Sequence, residues 1–306
     1  MNNKQYCCRF LYDVQGWCYY FRCLALKKYA PLDFDISIGS NYGAALKEKP
    51  HDIILQLAYS YAKDVRRHIN TLKYKTMIVS SYNVGKGYAD NWLAPVIRDS
   101  DYVIINNREM WEKSGKLPKT INISNGVDLS IFNIRKPIEL RKPRVLWIGS
   151  LTHRRTKNYD SILVPLGQLL RRDGIVYDFK LVDSTGRSRM NQEQMVYWYN
   201  TGSIYVVASN TEGTPNPGLE SAACGCTVVS TKVGNMPELI VDGQNGYLCE
   251  KNVQSLYNGI KKAISNQKQL AMNMQQTIKG WDWKERSKQY YDFFRKIIEE
   301  KRSKKL

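Results

Sequence analysis

The sequence predicts an α/β protein built as two doubly wound units in tandem. Three observations lead there. The chain has 306 residues, more than the roughly 250–300 at which one core commonly splits into two. Short apolar runs alternate with stretches of helical periodicity along its whole length, as expected for helices wound about parallel sheets. Near the middle, the segment 133–143 (NIRKPIELRKP) is polar, basic and carries two prolines, and it reads as a linker between two such series.

In the first series, strands are expected at Cys7–Tyr12, Asp35–Ile38, Asp52–Leu57, Thr76–Ser80, Tyr102–Asn106 and Thr120–Ile123, with a helix over Trp17–Tyr29. The second series opens at Arg144–Gly149 (RVLWIG) and continues with strands at Phe179–Val182, Ile204–Ala208, Thr227–Ser230 and Gly246–Leu248. Helices are expected between them at Tyr159–Arg172, Gln192–Asn200, Pro217–Ala223 and Val253–Asn266. Residues 283–305 form one amphipathic helix whose stripe of Trp283, Tyr290, Tyr291, Phe294 and Ile298 reads as packing surface. Two such sheets in tandem predict a ligand cleft outside the carboxyl ends of their strands.

Composition removes several classes. The seven cysteines form no Cys-x-x-Cys pair and the three histidines lie far apart, so the usual structural zinc patterns are missing. The scatter fits buried thiols in a reducing compartment. No run approaches the ~18 uncharged apolar residues of a membrane span. The charged start, MNNKQYCCRFLYD, reads as a first strand and not as a leader. The expectation is a cytoplasmic protein, soluble or peripheral at a membrane. The formal net charge is +18, and both halves of the chain are basic. Such a surplus favours polyanionic partners: phosphorylated donors, anionic membrane surfaces or nucleic acid. Solubility alone also accounts for it.

The segment 209–230 (SNTEGTPNPGLESAACGCTVVS) carries the chemistry. It follows the apolar strand IYVVA and leads into a helix of small residues. Its glycine and prolines predict a tight turn whose free amides at the helix start face an anion. Glu212 and Glu220 are eight positions apart, one in the loop and one on the first helical turn, so they address different parts of one ligand. Carboxylates suit sugar hydroxyls, from which they accept strong hydrogen bonds.

This pattern resembles the Glu-x7-Glu signature of the family-4 retaining glycosyltransferases of GT-B fold (glycosyl transferases group 1). Four further blocks match in order: 125–132 (NGVDLSIF), Gly149-Ser-Leu with Lys157-Asn158, 234–247 (GNMPELIVDGQNGY) and 281–283 (WDW). The resemblance covers most of 121–294, and residues 1–120 only in outline. It implies two Rossmann-like domains facing a central cleft: 1–138 on the acceptor side, 139–282 binding a nucleotide-sugar, and the helix 283–306 returning to the first.

The resemblance also implies site roles. Glu212 contacts the donor sugar at the reacting face, and Glu220 holds the ribose hydroxyls. Gly213, Thr214, Asn216, Gly218 and Leu219 line the sugar and phosphate site. Gly149 belongs to a phosphate loop in which Lys157 binds the diphosphate. Charge develops on that leaving group, where fixed cations stabilise the transition state, so neither metal nor cofactor is expected. Gly16, in the turn Asp13–Trp17, takes the place of the family's glycine-rich loop near the donor phosphates. An ordinary strand–helix turn accounts for it equally well.

The chain departs from the pattern in places. Ser150 stands where an arginine is usual, leaving Arg154 or Arg155 as the replacement cation. No histidine follows the strand ending near Ser80-Ser81-Tyr82, and the stretch between Val182 and Glu193 is short. Asp33-Phe-Asp35 and Asp99-Ser-Asp101 read as metal–diphosphate motifs, yet each directly precedes an expected strand, where Asp commonly ends a loop. Arg66-Arg67-His68 and Lys261-Lys262 read as solvated helix faces. The leading reading is a metal-independent transferase moving sugar from a UDP- or GDP-sugar, with retention, onto a glycan or lipid-linked precursor. A glycosyltransferase acting on nucleic acid and a non-catalytic GT-B binding protein stand beside it.

Overall fold

The computed structural model describes residues 5–40, 50–71, 73, 75–82, 90–183 and 190–304. They fall into two compact units, one of 1–125 with 283–306 and one of 126–282.

The first unit is a six-stranded parallel sheet of β1 (Tyr6–Tyr12), β2 (Phe34–Ser40), β3 (Ile53–Gln56), β4 (Met77–Tyr82), β5 (Tyr102–Ile105) and β6 (Thr120–Asn122), in the order β2-β1-β3-β4-β5-β6. Its helices are α1 (Cys18–Lys28), α2 (Ala62–Thr71), α3 (Asp90–Asp99) and α4 (Arg108–Lys113). The chain's final helix, Trp283–Ser303, joins them. Its buried positions, Trp283, Ser287, Tyr290, Tyr291, Phe294, Ile297 and Ile298, follow the helical repeat and pack with Phe10, Phe34 and Leu26 of the sheet and α1. The stripe is core.

In each Asp-x-Asp pair one carboxylate is engaged by an arginine of a helix. Asp33 accepts from Arg295 at 2.9 Å, and Asp101 accepts from Arg66 and from the Ile78 amide, both at 2.8 Å. Arg66 therefore departs from the solvated helix face expected of it: it also donates to the Asp99 carbonyl at 3.2 Å and ties α2 to the turn before β5.

The second unit is a five-stranded parallel sheet of β7 (Arg144–Ser150), β8 (Val176–Val182), β9 (Ile204–Val207), β10 (Thr227–Thr231) and β11 (Gly246–Cys249), in the order β11-β10-β9-β7-β8. Around it lie α5 (Val164–Arg172), α6 (Gln192–Tyr199), α7 (Asn216–Ala223), α8 (Met236–Leu239), α9 (Val253–Ser265) and α10 (Gln267–Ile278). Side chains alternate between two cores. Val145, Trp147, Ile204, Val206 and Val229 face one, and Leu146, Ile148, Tyr205, Val207 and Val228 face the other. A sheet buried on both faces needs continuous apolar strands, which is why RVLWIG and IYVVA are legible as strands.

Two expectations change. The chain passes between units at Asn125–Gly126 rather than at 138–139, because Val127 and Phe132 are buried in a core of the second unit. The linker that follows is clamped to the same unit. Asn200 Oδ1 accepts from the Arg135 amide at 2.7 Å and the Lys136 amide at 3.1 Å, and the buried Arg141 guanidinium donates to the carbonyls of Lys136, Gly202 and Cys224. The helix expected over 159–172 begins as a π-helical turn, Tyr159–Leu163, before α5. Pro165, in the first turn of α5, has no N–H to donate back into the preceding turn.

Candidate functional site

In the second unit the order of strands reverses between β7 and β9, the switch point at which such sheets receive ligands outside their carboxyl ends. Two loops leave there, one after Ser150 and one after Val207. They are bonded to each other: the Asn210 amide donates to the Thr156 carbonyl at 2.8 Å, and Asn158 Nδ2 donates to the Ala208 carbonyl at 2.8 Å and to Asn210 Oδ1 at 2.9 Å.

This stitching brings the two leading candidates together. The Lys157 ammonium forms an ion pair with Glu212 Oε1, and the Ser209 hydroxyl donates to the same oxygen at 2.6 Å. The side chains are 21% and 12% exposed, which leaves them reachable while reducing the water that would screen them. The Glu212 loop is backed by Gly234, whose φ is +56°. A Cβ there would come within 2.7 Å of the Gly213 carbonyl oxygen and 3.1 Å of both Glu212 Cβ and Pro215 Cδ. The neighbouring Asn235 is fully buried and donates to the Thr214 hydroxyl at 3.4 Å, while its Oδ1 has no hydrogen-bond partner.

Glu220 lies on α7, partly buried. Burial pushes its carboxyl up to about 7, against the Tyr199 hydroxyl, which donates to Oε2 at 2.9 Å and pulls the other way. The same burial and the nearby carboxylate raise the Tyr199 hydroxyl well above its usual range. Gly218 lets α7 approach closely, since a Cβ would meet Met236 Sδ at 3.2 Å. Leu219 is 1% exposed and its side chain belongs to the core. The expectation of free amides at this helix start fails at three positions. Asn216 N–H donates to the Thr214 carbonyl at 2.9 Å, and those of Gly218 and Leu219 donate to the Pro215 carbonyl at 2.8 and 3.4 Å. The Thr214–Pro215 turn itself supplies the acceptors.

The remaining candidates sit as follows. Gly149 is the penultimate residue of β7, where a Cβ would come within 2.5 Å of the Trp147 ring, so the glycine makes room for that indole. Arg154 is committed to Asp160, donating from Nε to Oδ2 at 2.5 Å, with its guanidinium over the Tyr159 ring at 5.6 Å. Arg155 is exposed. Gly16 belongs to the first unit, at φ +75° in the turn between β1 and α1. Residues 184–189, in the stretch from Val182 to Glu193, lie outside the described residues. Sequence reasoning assigned no role to Asn158, Tyr199, Ser209, Asn210 or Asn235, all of which hold the site together.

Residues 185–281 match the family described as Glycosyl transferases group 1. An uncharacterized glycosyltransferase of Haemophilus influenzae is 24% identical over 180 residues, 52% of this chain and 49% of that protein. The match thus spans about half the length of this curated relative. Among solved structures, sucrose-phosphate synthase of Thermosynechococcus elongatus aligns with a TM-score of 0.71 at 13% identity over 96% of this chain and 99% of that one. The Anabaena protein HepE, in complex with UDP and glucose, aligns with a TM-score of 0.71 at 15% identity over 94% and 98%. The fold is GT-B, two Rossmann-like α/β units. Among the described residues, no helix is long and apolar enough to cross a membrane.

Proposed function

We propose that this protein is a glycosyltransferase that draws sugar from a nucleoside-diphosphate sugar held at the carboxyl ends of β7 and β9. The observation that carries the reading is the Lys157–Glu212 pair at the switch point, with Glu220 on the following helix. The match of residues 185–281 to the group 1 family supports it. Lys157 stabilises the diphosphate as negative charge grows on it. Glu212 accepts from sugar hydroxyls and Glu220 from the ribose, each a charge-assisted bond. In the free protein Lys157 and Glu212 satisfy one another, and the incoming diphosphate and sugar take over one partner each.

UDP is the first nucleotide to try, because the HepE complex holds it. The reading extends to transfer with retention, without a metal, onto a glycan or lipid-linked acceptor, with the basic surface meeting a polyanionic surface or acceptor. Arg154 enters this chemistry only by exchanging Asp160 for phosphate.

The test is thermal shift against UDP-, GDP-, ADP- and dTDP-sugars, with and without EDTA. Binding to the native state raises the melting temperature by mass action. A shift with one donor class, kept in EDTA and lost in Glu220→Ala, supports the reading. No shift with any donor refutes it.

A further inference from the structure

We propose that Asn158 is the positioning residue of this site, holding Lys157 where it meets Glu212. The inference rests on the donor-site reading above and deepens it.

Lys157 is bracketed by two residues, Thr156 and Asn158, that are both fixed to the segment leaving β9. Thr156 is held through its carbonyl by the Asn210 amide at 2.8 Å. Asn158 is held through its side chain, which donates to Ala208 O at 2.8 Å and to Asn210 Oδ1 at 2.9 Å. Glu212 follows Asn210 by two residues, so the tether fixes both ends of the ion pair to one short piece of chain. Asn158 is 6% exposed, and its amide is a buried donor with two acceptors.

The backbone of the same residue turns the corner. Asn158 has φ 55° and ψ 36°, the left-handed region, which a Cβ disfavours and which only glycine and, less often, Asn or Asp adopt readily. Its carbonyl then accepts from the amides of Ile162 and Leu163 at 3.0 and 3.1 Å, starting the π-helical turn. Its Oδ1 accepts from the Ser161 hydroxyl at 3.3 Å. Single π turns recur at functional sites because they redirect the residues at their ends. Among amino acids, asparagine meets both demands, a tolerated left-handed backbone and a neutral two-proton donor. Glycine keeps the turn and loses the tether. Aspartate keeps the turn and sets a carboxylate against two acceptor oxygens. Alanine loses both.

A role confined to stability would leave the chemistry of Lys157 untouched, so the test reads that amine directly. The whole chain is labelled with limiting acetic anhydride, and acetylation of each lysine is quantified by mass spectrometry for wild type, Glu212→Gln, Asn158→Gly, Asn158→Asp and Asn158→Ala. Circular dichroism checks the fold of each. Releasing Lys157 from its carboxylate in Glu212→Gln sets the upper level of labelling. Asn158→Ala and Asn158→Asp are expected to reach that level, and Asn158→Gly to exceed wild type about twofold, with Lys261 and Lys262 unchanged.

Wild-type labelling of Lys157 in a folded Asn158→Gly overturns the proposal, and so does a rise shared equally by all lysines. If Asn158→Ala does not fold, Asn158→Gly decides alone. Calorimetric titration with UDP separates the two readings. If wild type binds UDP, Asn158→Gly weakens it about three- to tenfold, the scale of a lost hydrogen-bonded contact. If no protein binds UDP, the UDP-donor reading falls while the labelling still decides the role of Asn158.

Discussion

Glu220 gives the sharpest prediction. Its carboxyl is pushed from 4.5 up to about 7 by burial, so the folded protein holds a proton that the unfolded chain has already released. Between those two values the unfolded state binds fewer protons, and stability falls as pH rises through the window. The penalty is absent below the unfolded value and complete above the folded one. A shift of that size, about 2.5 units at 1.36 kcal/mol per unit, corresponds to about 3 kcal/mol. The side chain keeps some contact with water, and about 2 kcal/mol is the change expected between pH 5 and 8. Glu220→Gln removes the titration while still accepting from Tyr199. Urea denaturation of both proteins at pH 5, 6, 7 and 8 should give curves that converge at pH 5 and separate at pH 8, with the variant the more stable. Parallel pH profiles would refute the reasoning. Ribose hydroxyls bond best to the ionised carboxylate, so donor affinity in the wild type should rise from pH 6 to 8 and level off, and in Glu220→Gln should be weak and flat.

Other perturbations follow from the same geometry. Lys157→Ala should lower turnover by about 10²–10³, as loss of a transition-state donor does, while the melting temperature moves little; steady-state kinetics beside a melt decide it, and a variant that merely unfolds sinks the assignment. Gly234→Ala puts a Cβ within 2.7 Å of the Gly213 carbonyl oxygen at a φ of +56°, so nucleotide affinity should fall more than global stability; unchanged affinity by calorimetry would contradict the backing role of that glycine. Asn200→Ala leaves the Arg135 and Lys136 amides and Arg141 without their shared acceptor and should cost about 2–4 kcal/mol, the scale for several buried donors losing a partner, measured by urea denaturation. Phe294→Ala opens the core around the final helix and should cost about 3–5 kcal/mol without altering nucleotide affinity.

The strands were legible because each sheet is covered on both faces. Burial on both sides demands uninterrupted apolar runs, and VLWI and IYVV carry that demand in the chain itself. The segment 209–220 was legible as well, since its glycines, prolines and spaced carboxylates are local features. Helices α3 and α4 went unread because one contains Pro95 and the other has six charged-rich residues. Helix α10 had a readable stripe, Leu270, Ala271, Met274 and Ile278, hidden among glutamines and methionines. Arg154 or Arg155 was expected to replace a phosphate-loop arginine, and residue type alone did not show that Asp160 would hold Arg154.

By itself the sequence determined the α/β class and the two series of strands, and it singled out Glu212, Glu220 and Lys157 as candidates, because periodicity, turn chemistry and residue type are properties of adjacent positions. Only the tertiary structure decided which of those groups meet. Lys157 reaches Glu212, 55 positions away, because β7 and β9 are neighbours and Asn158 ties their loops together. Glu220 acquires a carboxyl near 7 because the core closes around it, against the downward pull of the Tyr199 hydroxyl. Both outcomes depend on distances between residues far apart in the chain, set by strand order and burial, and neither quantity is carried by any short stretch of sequence.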